Sequence, residues 1–190
     1  MKKKNDIEFT ITNMVASGNL GFELDLYMLP QQFEGNVEYE PEQFPGAIVK
    51  FNKPKATLLV FKNGEVVVVG CKDRKMISKA LEKAHKLLKP LAQKVNKKVN
   101  PKNVPFKITN MVAASDLHFS LDLFRIATEV EADIEYEPEQ FPGAILKLKK
   151  PPVSLLVFKN GKTIIAGARK REEIIEAIRN VKKLLKPFAE

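Results

Sequence analysis

Asn13 and Asn110 each interrupt an apolar, β-rich segment, and they stand 97 positions apart. An amide in that setting does hydrogen-bond chemistry, either toward an adjacent loop or toward a ligand that crosses the segment. Four phenylalanines keep the same spacing. Phe44 and Phe141 sit beside Pro-Gly corners, while Phe61 and Phe158 precede Lys-Asn-Gly turns. Large rings at turn edges either plug a core or stand out as wedges. Neither residue type makes or breaks a covalent bond. The types that could are sparse: His85 aligns with Lys182, His118 with Gly21, and the single Cys71 with Ala168. No carboxylate–histidine–nucleophile set recurs, a lone cysteine gives no metal cluster, and the glycines match no phosphate loop. Catalysis, a metal and a cofactor are therefore all unexpected.

The spacing of 97 is that of an internal duplication. Residues 11–93 repeat as 108–190 without a gap, and 43 of the 83 aligned positions are identical. The blocks ITNMVA, YEPEQFPGA and LLVFKNG survive intact in both copies. Two long copies do not make a solenoid, whose units run about 20–45 residues. They predict two similar lobes, 1–94 and 95–190, related by pseudo-twofold symmetry, with a short basic connector over 94–107. Such a protein suits a partner that is itself nearly symmetric or long enough to touch both lobes.

The elements that must position these residues follow from pattern. Phe9–Ala16 is β-rich and alternating, and predicts a strand. Leu20, Leu24, Tyr27 and Met28 have helical spacing, with Asn19 or Asp116 as the cap. Asn36–Tyr39 and Ala47–Phe51 are short strands bounded by proline and glycine. Ala56–Phe61 and Glu65–Gly70 flank an Asn-Gly turn and predict a hairpin. Asp73–Leu88 is an amphipathic helix, with Asp73 as its cap and Pro90 as its stop. Each lobe thus reads as strand, short helix, four strands and long helix, an α+β class.

A sheet covered on one side should alternate apolar and polar residues. Thr57–Phe61, Val66–Val69, Ser154–Phe158 and Ile164–Ala166 are instead apolar on both faces. Either two sheets bury each other, as in a sandwich or homodimer, or one apolar face is left open for a partner. The net charge of +9 favours a polyanion as that partner. One cysteine with no duplicate suits a reducing compartment. The opening MKKKNDIEF has no apolar run of a secretory signal, and no segment is long enough to span a membrane.

Taken together, these motifs resemble the TATA-binding protein family, particularly its archaeal form, over residues 7–188. The resemblance implies a saddle: a curved ten-stranded antiparallel sheet from two pseudo-symmetric repeats, with four helices on the convex face. It implies a transcription initiation factor that binds the minor groove of double-stranded DNA at a TATA element as a monomer and kinks it. Phe44, Phe61, Phe141 and Phe158 match the inserted wedges. Asn13 and Asn110 match asparagines that hydrogen-bond base acceptors. Val15, Leu59, Val67, Val69, Val112, Leu156, Ile164 and Ala166 match the apolar floor. Lys50, Asn63, Lys72, Lys147, Asn160, Lys162 and Arg169 match phosphate contacts. Glu137 and Glu139 match the acidic contact for transcription factor B, through which RNA polymerase is recruited. The chain departs from the pattern at Val69 and Ala166, where threonine is frequent, and at Glu65, where lysine is frequent. A cytoplasmic, chromosome-associated protein is implied. The alternative reading is an interaction or homodimerisation module that uses the apolar face.

Overall fold

The computed structural model describes residues 7–33 and 36–190, so the basic opening of the chain lies largely outside the described residues. By contact the chain divides into two compact units. One spans residues 13–109, and the other joins the described residues up to Thr12 to residues 110–190. Each unit therefore takes in part of the first strand of both repeats.

The strands are β1 (Phe9–Asn19), β2 (Phe22–Leu24), β3 (Val37–Glu38), β4 (Ala47–Asn52), β5 (Lys55–Val60), β6 (Glu65–Cys71) and β7 (Ala92–Val95) in the first repeat. The second repeat supplies β8 (Phe106–Asp116), β9 (Asp133–Glu135), β10 (Gly143–Lys149), β11 (Pro152–Phe158) and β12 (Lys162–Ala168). Among the described residues four α-helices accompany them: α1 (Leu29–Gln32), α2 (Arg74–Leu88), α3 (Leu123–Glu129) and α4 (Arg171–Leu185). Ten strands follow the order β3-β4-β5-β6-β1-β8-β12-β11-β10-β9, and every register-matched neighbour pair is antiparallel. The α+β class and the ten-stranded sheet implied by the sequence are both present.

Each long helix covers one face of its own repeat's strands. Helix α2 packs on β5 and β6, and α4 packs on β12. Beneath α2 lie Leu58, Val60, Val66 and Val68, all fully buried. The helices reply with matching stripes, Ile77–Leu81–Ala84–Leu88 and Ile174–Ile178–Val181–Leu185. Burying one such large side chain contributes about 1.5–3 kcal/mol, so these stripes fix which face of the sheet is closed. Asp73 caps α2 by accepting from the backbone N–H of Met76 at 2.8 Å, as its position predicts. Lys170 stands at the matching place before α4 and has no acceptor to offer. There Glu173 reaches back instead and accepts from the N–H of Arg169 at 2.7 Å.

The helix predicted over Leu20–Leu29 is not formed as such, and neither Asn19 nor Asp116 is its cap. Gly21 adopts φ +86, outside the helical region. The Asn19 side chain accepts from the Gly21 N–H at 2.8 Å and turns the chain at once. Phe22–Leu24 then pairs with β7, a strand that starts before the connector read over 94–107 and runs into it. Helix begins only after Asp25, whose carboxylate accepts from the Tyr27 N–H. In the second repeat Asp122 caps α3 in the same way, and Asp116 accepts from the His118 N–H. A pairing with residues some 70 positions away overrides the local periodicity.

Candidate nucleic-acid interface

On the sheet face away from α2 and α4, every floor residue singled out by the sequence is half-exposed. Val15, Leu59, Val67 and Val69 alternate with buried neighbours along β1, β5 and β6. Val112, Leu156, Ile164 and Ala166 do the same on β8, β11 and β12. Register brings them together across strands: Leu59 opposite Val67, Leu156 opposite Ile164, and Val112 opposite Ala166. Each unit therefore carries an apolar face that its own helices do not cover.

Asn13 and Asn110 lie on this face beside a bulge. The register of β1 against β6 slips between Met14 and Ala16, and that of β12 against β8 slips between Ala166 and Ala168. At each slip a glycine takes a left-handed conformation, Gly70 at φ +88 and Gly167 at φ +98. Its freed N–H donates to the asparagine oxygen, 2.9 Å to Asn13 Oδ1 and 2.8 Å to Asn110 Oδ1. A donor on the glycine forces the oxygen, not the nitrogen, to face it. Among the described residues Nδ2 has no protein acceptor, so each amide presents two N–H donors from the apolar floor.

The phenylalanines form two matched pairs. The Phe44 and Phe61 ring centroids are 5.8 Å apart at 64°, and those of Phe141 and Phe158 are 5.8 Å apart at 61°. None of the four is buried, and Phe141 is 38% exposed. They are not core plugs. Gly46 and Gly143 make room for them: a Cβ at Gly46 would meet Phe44 Cε1 at 2.8 Å, and one at Gly143 would meet Phe141 Cε1 at 2.9 Å. The edge-to-face geometry holds each pair as a stiff apolar unit.

The basic candidates divide into two kinds. Lys72, Lys162 and Arg169 are exposed near the ends of β6 and β12, as is Glu65. Lys50 and Lys147 are ion-paired, with Lys50 Nζ 2.7 Å from Glu38 and Lys147 Nζ 2.6 Å from Glu135. The hydrogen bond and charge of Glu135 raise the Lys147 pKa above its ordinary value. The two glutamates escape a reading of the sequence, because only the edge-strand register brings them to lysines 12 positions on. Their signal was the EYEPEQFPG block, which holds a glutamate at its head in both copies. Asn63 and Asn160 turn their oxygens inward to the N–H groups of Glu65 and Lys162, shaping the hairpin turns. Glu137 and Glu139 lie exposed in the turn before Phe141, and the Glu137 carbonyl closes that turn on Gln140 and Phe141.

Nothing reactive accompanies this surface. Cys71 is buried, and burial first, then the Asp73 charge, raise its thiol above the ordinary value. A thiol held protonated is a poor nucleophile. Among the described residues no cluster of three histidine, cysteine or acidic side chains could hold a metal ion.

These features define a duplicated α+β protein whose sheet leaves uncovered an apolar face with amide donors and paired aromatic edges. Comparison with known proteins places it further. The family described as "Transcription factor TFIID (or TATA-binding protein, TBP)" matches residues 8–91 and 105–188. The TATA-box-binding protein of Sulfurisphaera tokodaii is 40% identical over 171 residues, covering 90% of this chain and 83% of that one. That of Methanocaldococcus jannaschii is 39% identical over 183 residues, covering 96% of both. The solved structure of Methanococcus jannaschii TBP superposes with a TM-score of 0.84 at 38% identity, over 95% of this chain and 99% of that one. The chain belongs to the TATA-binding protein family, in its archaeal type. It is a DNA-binding transcription initiation factor and not an enzyme. No helix among the described residues is long and apolar enough to cross a membrane.

Proposed function

We propose that the open sheet face binds the minor groove of an A·T-rich promoter element, with repeats 1–94 and 95–190 each meeting one half of it. The orientation of Asn13 and Asn110 carries this reading. In the minor groove, A·T and T·A pairs present only acceptors, whereas G·C adds an amino donor. Amides whose oxygens are already engaged can give hydrogen bonds to acceptors and nothing to a donor. The flat apolar residues around them tolerate base edges yet strand the guanine amino group without a partner.

Phe44 with Phe61, and Phe141 with Phe158, act as the wedges. Each pair enters a base step at one end of the element, and pyrimidine–purine steps yield most easily. Unstacking costs about a few kcal/mol per step, offset by the apolar area that the opened groove covers. Lys72, Lys162 and Arg169, with Asn63 and Asn160 on the turns, meet phosphates directly. Lys50 and Lys147 do so by exchanging their glutamate partners for phosphate oxygens. Val69 and Ala166 lack the hydroxyl of the threonine frequent at their positions, so more of the discrimination falls on shape. Glu137 and Glu139 are the contact for transcription factor B, and through it RNA polymerase reaches the promoter. The protein then works in the cytoplasm on the chromosome.

Phe141→Ala tests the wedge. Energy transfer between dyes at the two ends of a TATA duplex should show weaker binding and a smaller bend together. An unchanged bend at saturating protein contradicts insertion. A chain that used this face only to pair with itself would show no preference for A·T-rich duplex.

A further inference from the structure

The repeats reverse a charge at the rim of the open face: Glu65 stands in the first where Lys162 stands in the second. Both side chains are exposed. Successive residues of a strand point to opposite faces. Glu65 therefore projects to the side of Val67 and Val69, while Val66 and Val68 are buried beneath α2. Lys162 lines up with Ile164 and Ala166 in the same way.

The two turns that deliver these residues are built alike. The Phe61 carbonyl accepts from the Gly64 N–H, and the Phe158 carbonyl from the Gly161 N–H, both at 2.9 Å. The Asn63 oxygen accepts from the Glu65 N–H at 3.0 Å, and the Asn160 oxygen from the Lys162 N–H at 3.1 Å. Each charge thus sits three residues past the turn's own carbonyl, fixed beside a ring of the paired phenylalanines. Backbone geometry matches, and the sign does not.

The surroundings leave both charges available. Asn19, opposite Glu65 in register, is neutral, and its oxygen is taken by the Gly21 N–H. Among the described residues the Glu65 carboxylate makes no ion pair and no hydrogen bond. Asp116 lies opposite Lys162, but its carboxylate turns to the His118 N–H at 2.7 Å. Glu190 pairs with Lys159, not with Lys162.

We infer that Glu65 limits the hold of the first repeat on the DNA backbone and blunts the salt dependence of the complex. The inference rests on the minor-groove reading of the open face. A phosphate that is attracted by Lys162 at the second turn meets like charge at the first. Salt weakens the attraction at Lys162 but also relieves the repulsion at Glu65, so the two responses oppose each other. The ring pair of the first repeat then depends on apolar and amide contacts, with less help from charge.

Titration of a TATA duplex over a salt series tests this. Glu65→Gln should tighten binding about two- to fivefold at about 50 mM salt. Glu65→Lys should tighten it about tenfold or more and steepen the salt slope by at least about one unit. Both gains should shrink as salt rises. Lys162→Glu should act in reverse, and Glu65→Lys combined with Lys162→Glu should return close to wild type. Glu176→Lys makes the same change in charge on α4, which covers the other face, and should leave the slope near wild type. All three positions are exposed, so thermal midpoints should change little. Unchanged affinity and slope in Glu65→Lys, with the preference for TATA intact, overturns this inference alone. An equal effect from Glu176→Lys also overturns it, because bulk charge then suffices. A wild type that binds TATA and G·C duplexes alike overturns the minor-groove reading and this inference with it.

Discussion

An amide whose oxygen is already engaged is a donor and nothing else, and on the proposed reading that condition makes Asn13 and Asn110 specific. Asn110→Asp is the sharpest test at this scale. The carboxylate can still accept from the Gly167 N–H, so the bulge survives, but it offers no donor and brings negative charge to the base acceptors. Losing that bond and leaving acceptors unpaired costs about 1–3 kcal/mol. Equilibrium titration of a TATA duplex should therefore show a loss of about five- to 150-fold, with the thermal midpoint of the protein little changed. Binding at wild-type strength would remove the asparagine from the recognition set. The presence of these asparagines in apolar strands was legible in the sequence. Their orientation was not, because it depends on a bulge and on Gly70 and Gly167, whose N–H groups are freed only by the register slip.

The elements divide along a physical line. Strands β4, β5 and β6 and helix α2 were legible, because their signals are local: a two-residue period, an Asn-Gly turn, and a capped 3.6-residue stripe. The short helix was misread because Leu20, Leu24 and Met28 mimic helical spacing while Phe22–Leu24 pairs with the distant β7. The same blindness hid Glu38 and Glu135. At the edge strands, Glu135 holds Lys147 in an exposed ion pair, worth little to folding but set against phosphate binding. Lys147→Ala should lower affinity for all duplexes and flatten the salt dependence by about one unit. Glu135→Gln should raise affinity, because the lysine no longer has to leave a partner. An Lys147→Ala variant that loses sequence preference with its salt slope intact would refute this assignment. Helix α2 carries a separate liability. Burial, and then the Lys89 charge, hold the His85 pKa below its usual 6.5, so the unfolded chain takes up the proton more readily. The stability it contributes is present above pH 6.5 and falls as pH drops below that value. Thermal midpoints should decline from pH 7 to pH 5, and His85→Leu should reduce the decline; an equal slope in both proteins would exclude the histidine as its source.

At the scale of the whole molecule, the duplication sets both the strength and the weakness of recognition. Two copies of the same amide and ring pair on closely similar apolar floors suit an element that looks similar from either end, so these groups alone barely fix direction. What differs between repeats lies elsewhere: Glu65 against Lys162 at the hairpin turns, and Glu82 against Arg179 on the long helices. On the proposed reading, orientation belongs to partners that meet those differences, while Glu40 and Glu42 repeat the acidity of Glu137 and Glu139 and cannot supply it alone. The decisive measurement is a titration of three duplexes: a TATA element, the same element with every A·T pair replaced by inosine·cytosine, and one replaced by G·C. Inosine·cytosine keeps the acceptor pattern of A·T in the minor groove while changing the major groove. The inosine duplex should bind nearly as well as the TATA element, and the G·C duplex far more weakly. An inosine duplex bound as poorly as G·C would mean that the open sheet does not read the minor groove.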